Sequence, residues 1–132
     1  MILADASVLI DFLKGTDSIS ARKLAKIIDH DIPYGINPAI FMETLINAMT
    51  ERDFELLRSY LGSQTFYDIR DGRESYARAA KIFIELRKKG IPIGNYFNCL
   101  VAQTAIDNDL HLIHNNIIFN KIKKVSTLKT WE

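Results

Sequence analysis

The sequence predicts an α/β protein, with a parallel central sheet covered by helices on both faces in a three-layer α/β/α architecture. Two observations lead there. Short apolar runs of strand character, Ile2-Leu3-Ala4, Tyr34-Gly35-Ile36, Thr65 to Ile69 and Leu110 to His114, alternate with longer segments whose apolar residues recur every three or four positions. Such alternation fits parallel strands, because each needs a crossover, usually a helix, to reach the next. The length, 132 residues, is that of one ordinary domain with one core, so a single domain over residues 1–132 is expected.

Ile2-Leu3-Ala4 reads as a buried strand, and Asp5 stands where it ends. A helix carrying Val8, Leu9, Phe12 and Leu13 follows, with Ser7 as its capping residue. Gly15-Thr16 breaks the chain, and Asp17 or Ser18 starts a helix through Leu24, Ile27 and Ile28 that ends in the loop Asp31 to Pro33. After the second strand, Asn37-Pro38 is a helix start: asparagine accepts from first-turn amides, and proline at the first helical position lacks only a donor that the helix does not use. That helix carries Ile40 to Met49, with one carboxylate, Glu43.

The next helix, about Arg52 to Leu61, places Phe54, Leu57 and Leu61 on one side and stops at Gly62-Ser63; Thr65 to Ile69 is the third strand. Asp71 to Lys89 is a long amphipathic helix with an apolar face of Tyr76, Ala79, Ala80, Phe83 and Leu86 and a basic exposed face, closed by Gly90 and Pro92. A loop at Ile91 to Gly94 leads to a helix over about Asn95 to Asp107, with Phe97, Leu100, Val101, Thr104 and Ala105 inward. The strand Leu110 to His114 precedes a turn, a helical piece around Phe119 to Ile122 and a weak last strand near Val125.

Composition narrows the class. With 48% hydrophobic and 25% charged residues, and no apolar run near the roughly 18 residues that a membrane helix needs, the chain reads as soluble and without a membrane partner. Asp5 and Asp11 interrupt the first apolar stretch and no basic segment precedes it, which argues against a signal peptide and for the cytoplasm. The one cysteine, Cys99, excludes an internal disulfide and reads as a small core residue. A net charge of +1 gives no overall pull on nucleic acid. Local clusters must supply it: Arg70, Arg73, Arg78, Arg87, Lys88 and Lys89, then Lys121, Lys123, Lys124 and Lys129, although clusters of this sort are more often solvated faces than binding sites. Tyr34, Phe66, Tyr67 and Tyr96 read first as core or rim aromatics, and second as platforms for bases.

If the strands are parallel, their carboxyl ends share one edge, where ligands bind in open α/β sheets. Asp5, the helix bearing Glu43 and the segment His114-Asn115-Asn116 all approach it, and the helix bearing Asn98 adds a fourth group. Oxygen ligands in such a cluster suit a hard cation such as Mg²⁺, which activates water and stabilises charge on a phosphodiester. The residues alone supply two carboxylates. Asp5 also reads as a cap, and Glu43 as a surface acid.

At these residues the sequence resembles a known family. Asp5-Ala6-Ser7-Val8-Leu9-Ile10-Asp11, then Glu43 on an apolar helix, then Asn98-Cys99-Leu100-Val101-Ala102, then Leu112-Ile113-His114-Asn115-Asn116 and Phe119, are similar to a PIN domain, and more closely to the VapC toxins of bacterial and archaeal toxin–antitoxin pairs. The resemblance implies a Rossmann-like fold, an endoribonuclease dependent on Mg²⁺ or Mn²⁺, a VapB-like antitoxin partner that masks the site, and a homodimer. Residue by residue, Asp5 matches the family's first metal-binding aspartate, Glu43 its glutamate, and Ser7 the small hydroxyl residue beside the first aspartate. Asn98 and Asn116 stand where the family has aspartates, and Ile118 where a further acid is frequent. An asparagine keeps the shape and an acceptor oxygen but carries no charge and cannot act as a base, so the two changes weaken the hold on a cation.

The expected function is RNA cleavage, with Asp5, Glu43, Asn98 and Asn116 as catalytic and metal-binding positions and Ser7 supporting them. The alternative is a binding module of the same fold that engages an antitoxin or RNA without cutting. A receiver-like phosphotransferase built on Asp5 is disfavoured, because a phosphate-cradling glycine loop and paired acids after the first strand are both missing.

Overall fold

The strand β1 (Ile2–Ala4) is completely apolar and buried, and it occupies the centre of the sheet. The computed structural model describes residues 1–132. Around β1 lie β2 (Tyr34–Ile36) and β3 (Thr65–Phe66) on one side, and β4 (His111–Ile113) and β5 (Lys129–Thr130) on the other, in the order β3-β2-β1-β4-β5. Every neighbouring pair is parallel, with Leu3 opposite both Gly35 and Leu112. A strand flanked on both sides and covered on both faces has no wet surface for polar side chains, which is why β1 reads as an unbroken apolar run.

Seven helices make the connections: α1 (Ala6–Lys14), α2 (Ile19–Asp29), α3 (Pro38–Leu45), α4 (Glu51–Gly62), α5 (Arg73–Lys88), α6 (Phe97–Asp107) and α7 (Ile118–Val125). Helices α1 to α4 pack on one another, as do α5 to α7, and the groups meet where α3 touches α6. This is the two-sided covering that right-handed crossovers produce when a chain moves first one way from its central strand and then the other. Gly15, at φ 71°, closes α1 in the left-handed conformation glycine adopts without strain. Gly35 is required for a different reason: the Tyr67 ring and the Thr65 carbonyl occupy the space a Cβ would need.

Several elements depart from expectation, each for a local reason. The α1 cap is Asp5, whose carboxylate accepts from the Ser7 N–H; Ser7 lies inside the first turn and serves Asp5. Helix α3 stops at Leu45 rather than Met49, as the Asn47 side chain bonds back to the Glu43 carbonyl (2.9 Å) and the chain turns. Only Thr65–Phe66 of the third strand pairs, because Asp68 accepts the Ile69 N–H and bends the chain away. In α5 the face turned to the core is Ser75, Ala79, Ile82 and Leu86, leaving Tyr76 56% exposed. Helix α6 begins at Phe97, not Asn95, and Phe97 lies on its outer side. The strand β4 is shorter than Leu110 to His114, α7 is longer than Phe119 to Ile122, and the last strand is at Lys129–Thr130 rather than near Val125.

Candidate active site

Asp5 is the residue that the strand order isolates. Its N–H donates to the Ile113 carbonyl (3.0 Å), so it continues β1 beside the end of β4 before the chain turns into α1. The side chain is 2% exposed. One oxygen, Oδ2, accepts from the Ser7 N–H (3.0 Å) and the Ser7 hydroxyl (2.5 Å). The other, Oδ1, is buried and has no partner, the one such side-chain atom in the protein. Burial pushes the Asp5 pKa up to about 6 despite the two Ser7 hydrogen bonds that oppose it, and the charge of Glu43 adds to the rise.

Glu43 comes from α3, whose start is set by Asn37: its carboxamide oxygen accepts the Ile40 N–H (2.7 Å), and its Nδ2 donates to Thr104 on α6 (3.2 Å). The Glu43 carboxylate accepts from Asn95 Nδ2 (3.0 Å), which ties the start of α6 to α3 across the crevice. Asn98, one turn later, is 6% exposed and its carboxamide makes no hydrogen bond within the protein. The Asn116 carboxamide oxygen is engaged, closing a local turn onto the Ile118 N–H (3.1 Å). Its neighbour Asn115 makes the contact with the Asp5 side: the Asn115 N–H donates to Ser7 Oγ (2.9 Å), and its Nδ2 donates to Asp11 (2.5 Å). Asn95, Asn115 and Asp11 were not among the expected site residues. Asn115 did carry a signal, in the segment His114-Asn115-Asn116 that approaches this edge, and Asn95 stood at the start of a predicted helix.

Nowhere do three or more His, Cys, Asp or Glu side chains converge as a metal centre. What remains is two carboxylates, one with an orphaned buried oxygen, and a free carboxamide. These are hard oxygen donors of the kind Mg²⁺ and Mn²⁺ accept, and one or two protein carboxylates suffice when water completes the shell. The arrangement fits such a cation, with less charge than a four-carboxylate site has. Cys99 takes no part: burial pushes its thiol up to about 11, so it stays protonated and inert.

The sequence pattern of the PIN domain matches residues 2–125. The chain belongs to the PIN domain family. Among its relatives are VapC ribonuclease Mb1587 of Mycobacterium bovis and ribonuclease VapC11 of Mycobacterium tuberculosis, each 23% identical over 130 residues, covering 98% of this chain and 96% of the relative. The fold is similar to VapBC from Salmonella typhimurium bound to DNA (TM-score 0.74, 17% identity, 98% of this chain and 96% of that one). It is also similar to VapBC2 from Rickettsia felis bound to a promoter DNA fragment (TM-score 0.70, 20% identity, 100% of both chains).

Two grooves, one of mixed and one of wholly apolar lining, lie between helices of this PIN domain. One, about 380 Å³ between α1, α3 and α4, is lined by Ile10, Leu13, Met49, Leu56 and Leu57 among others, with Met49 88% exposed. The second, about 390 Å³ between α5 and α6, is wholly apolar and includes Tyr76, Phe83, Tyr96 and Phe97. No helix is long and apolar enough to cross a membrane.

Proposed function

We propose that this PIN domain is a VapC-like endoribonuclease of the cytoplasm that cleaves RNA phosphodiester bonds with Mg²⁺ or Mn²⁺ and is held in check by a VapB-like antitoxin. The observation that carries the reading is Asp5: a buried carboxylate at the end of the central strand, with one oxygen unpartnered, beside the second carboxylate Glu43. Asp5, Glu43 and Asn98 would hold the cation, which when bound supplies a polarised water and charge neutralisation at the phosphate. Ser7 orients Asp5 by holding Oδ2, leaving Oδ1 for the crevice. Asn95 orients Glu43. Asn116, with its oxygen engaged, fixes the loop after β4. The whole chain acts as one domain in this reading. The groove between α1, α3 and α4, with its exposed Met49, suits the antitoxin, as the relatives solved as VapBC complexes suggest, and the α5–α6 groove suits a second copy in a homodimer.

The second reading is a PIN domain that binds antitoxin or RNA without cutting, and the neutral Asn98 and Asn116 favour it. The test is cleavage of a mixed-sequence RNA with Mg²⁺ or Mn²⁺, with Asp5→Ala as control. Cleavage lost in the control supports the nuclease; no cleavage by the chain as it stands supports the binding module. Calorimetric titration with Mn²⁺ sharpens the result: replacing Asn98 and Asn116 together by Asp is expected to tighten binding about tenfold or more, because two charges return to the site. Tight binding by the unaltered chain, with no gain in the double variant, contradicts this account of the asparagines.

A further inference from the structure

Beyond the crevice, on the β5 side of the same sheet edge, lies a polar cavity of about 150 Å³ lined by Ser20, Lys23, His114, Asn120, Trp131 and Glu132 with Ile113 and Thr130. Its chemistry is unbalanced towards donors. Lys23 is half-buried on α2, yet no acidic side chain lies within ion-pair distance of it, unlike Arg22 beside it, which pairs with Asp17 (2.9 Å). His114 Nδ1 accepts from the Asn116 N–H (3.1 Å), so the imidazole proton is on Nε2, which has no partner in the protein. The Asn120 carboxamide and the Trp131 indole N–H are likewise unpartnered. The two hydroxyls add no free donor: Ser20 gives its proton to the His114 carbonyl (2.7 Å), and Thr130 Oγ1 gives its proton to Glu132 (2.8 Å) and accepts from Lys123 (3.0 Å), which leaves both oxygens as acceptors. The one acid is Glu132, whose side chain is 78% exposed.

Four unused donors of which one is a fixed cation, around a cavity whose one acid is exposed and already paired with Lys123, describe a place for an anion. The volume is small against the roughly 300–1,000 Å³ of pockets that enclose drug-sized molecules, so it admits a phosphate group rather than a nucleotide. Position supplies the context. His114 faces this cavity, while Asn115, the next residue, donates to Ser7 and through it reaches Asp5. One three-residue loop thus borders both places.

We propose that Lys23, His114, Asn120 and Trp131 form a phosphate subsite that holds a backbone phosphate of single-stranded RNA neighbouring the one presented to Asp5 and Glu43. The inference rests on the RNA-directed reading above. Lys23 gives the charge, and the neutral N–H groups give direction without the desolvation cost of more cations. Glu132 competes with the phosphate.

The experiment uses the full chain in EDTA, so that binding is read without cleavage, with a labelled twelve-residue oligouridine followed by fluorescence anisotropy across a salt series. Lys23→Ala is expected to weaken binding several-fold and to lower the slope of log K against log salt by about 0.7, the contribution of one phosphate contact on a single strand. Glu132→Gln is expected to tighten binding, and Lys26→Ala, exposed on the same helix, to change neither quantity. In a second arm, inorganic phosphate is titrated against the amide and indole N–H resonances, with chloride at matched ionic strength as control. Trp131 is the only tryptophan. Its indole signal shifts with phosphate and not with chloride, and the shift is lost in Lys23→Ala. If the oligouridine binds but Lys23→Ala leaves affinity and slope unchanged, the subsite is overturned and the RNA reading stands. If phosphate moves the indole but no RNA binds, the RNA assignment of the subsite falls together with the reading it rests on.

Discussion

Two buried aspartates in this PIN domain are treated in opposite ways. Asp107, at the end of α6, has a side chain 4% exposed. It accepts from the Ser75 hydroxyl (2.6 Å), the Arg70 N–H (2.9 Å) and Gln103 Nε2 (2.8 Å), with the Arg78 guanidinium at 3.5 Å. Burial alone would raise its pKa, but these hydrogen bonds and the Arg78 charge outweigh it and bring the pKa below the usual value. Asp5 has its main hydrogen bonds from Ser7, keeps an oxygen without a partner, feels the negative charge of Glu43, and has its pKa raised to about 6. The first aspartate is a clasp that ties the start of α5 to the end of α6. The second is left unsatisfied at a cost to stability, which is what a group reserved for a ligand looks like.

Three substitutions sharpen that contrast. The largest effect belongs to the clasp: Asp107→Ala should lower unfolding free energy by about 3 kcal/mol, since it takes the acceptor from the Ser75 hydroxyl, the Arg70 N–H and the Gln103 amide at once, while Arg78 keeps its pairing with Asp71. Chemical denaturation with unchanged m-value measures it, and a loss below about 1 kcal/mol makes Asp107 no clasp. Because the folded-state pKa is lowered, its stabilisation is present above the unfolded pKa and declines as pH falls through the folded value. Next comes Asp5→Asn, which keeps a capping oxygen for α1 but removes the buried charge. In the absence of metal it should stabilise the chain by about 2 kcal/mol at pH 7.5. For Asp5 the sign is reversed: its folded pKa lies above the unfolded 3.8, so the carboxyl favours folding below about pH 4 and that contribution is lost as pH rises through about 6. The gain from Asn should therefore shrink to nothing near pH 4 in melts across that range, and a destabilised variant at pH 7.5 would erase the distinction. Smallest is Ser7→Ala, expected to cost about 1 kcal/mol by removing the hydroxyl shared by Asp5 and Asn115. It should also raise the Asp5 pKa further, visible in the carboxyl ¹³C titration.

The fold was largely legible in the residues, and the site in part. Asn37-Pro38 announced α3 because cap chemistry is local, and Ile2-Leu3-Ala4 announced β1 because a strand covered on both faces must be apolar throughout. The inward face of α5 was misjudged by one position, since this helix carries two adjacent apolar stripes and only packing against α6 and α7 decides which one is buried. The end of α3 depended on one side chain, Asn47, folding back. At the site, Asp5 and Glu43 were readable as acids at expected places, while the engagement of the Asn116 oxygen and the link from Asn95 to Glu43 exist only once separate elements are brought together.

The placement of β1 also sets a clock. Asp5 is separated in sequence from its neighbours Ile113 and, through Ser7, Asn115 by more than a hundred residues. Closing so long a loop is entropically slow, and contacts of high sequence separation form late in folding. The crevice therefore cannot close before residue 115 has been made, and a ribosome holding a shorter copy holds one without a finished site.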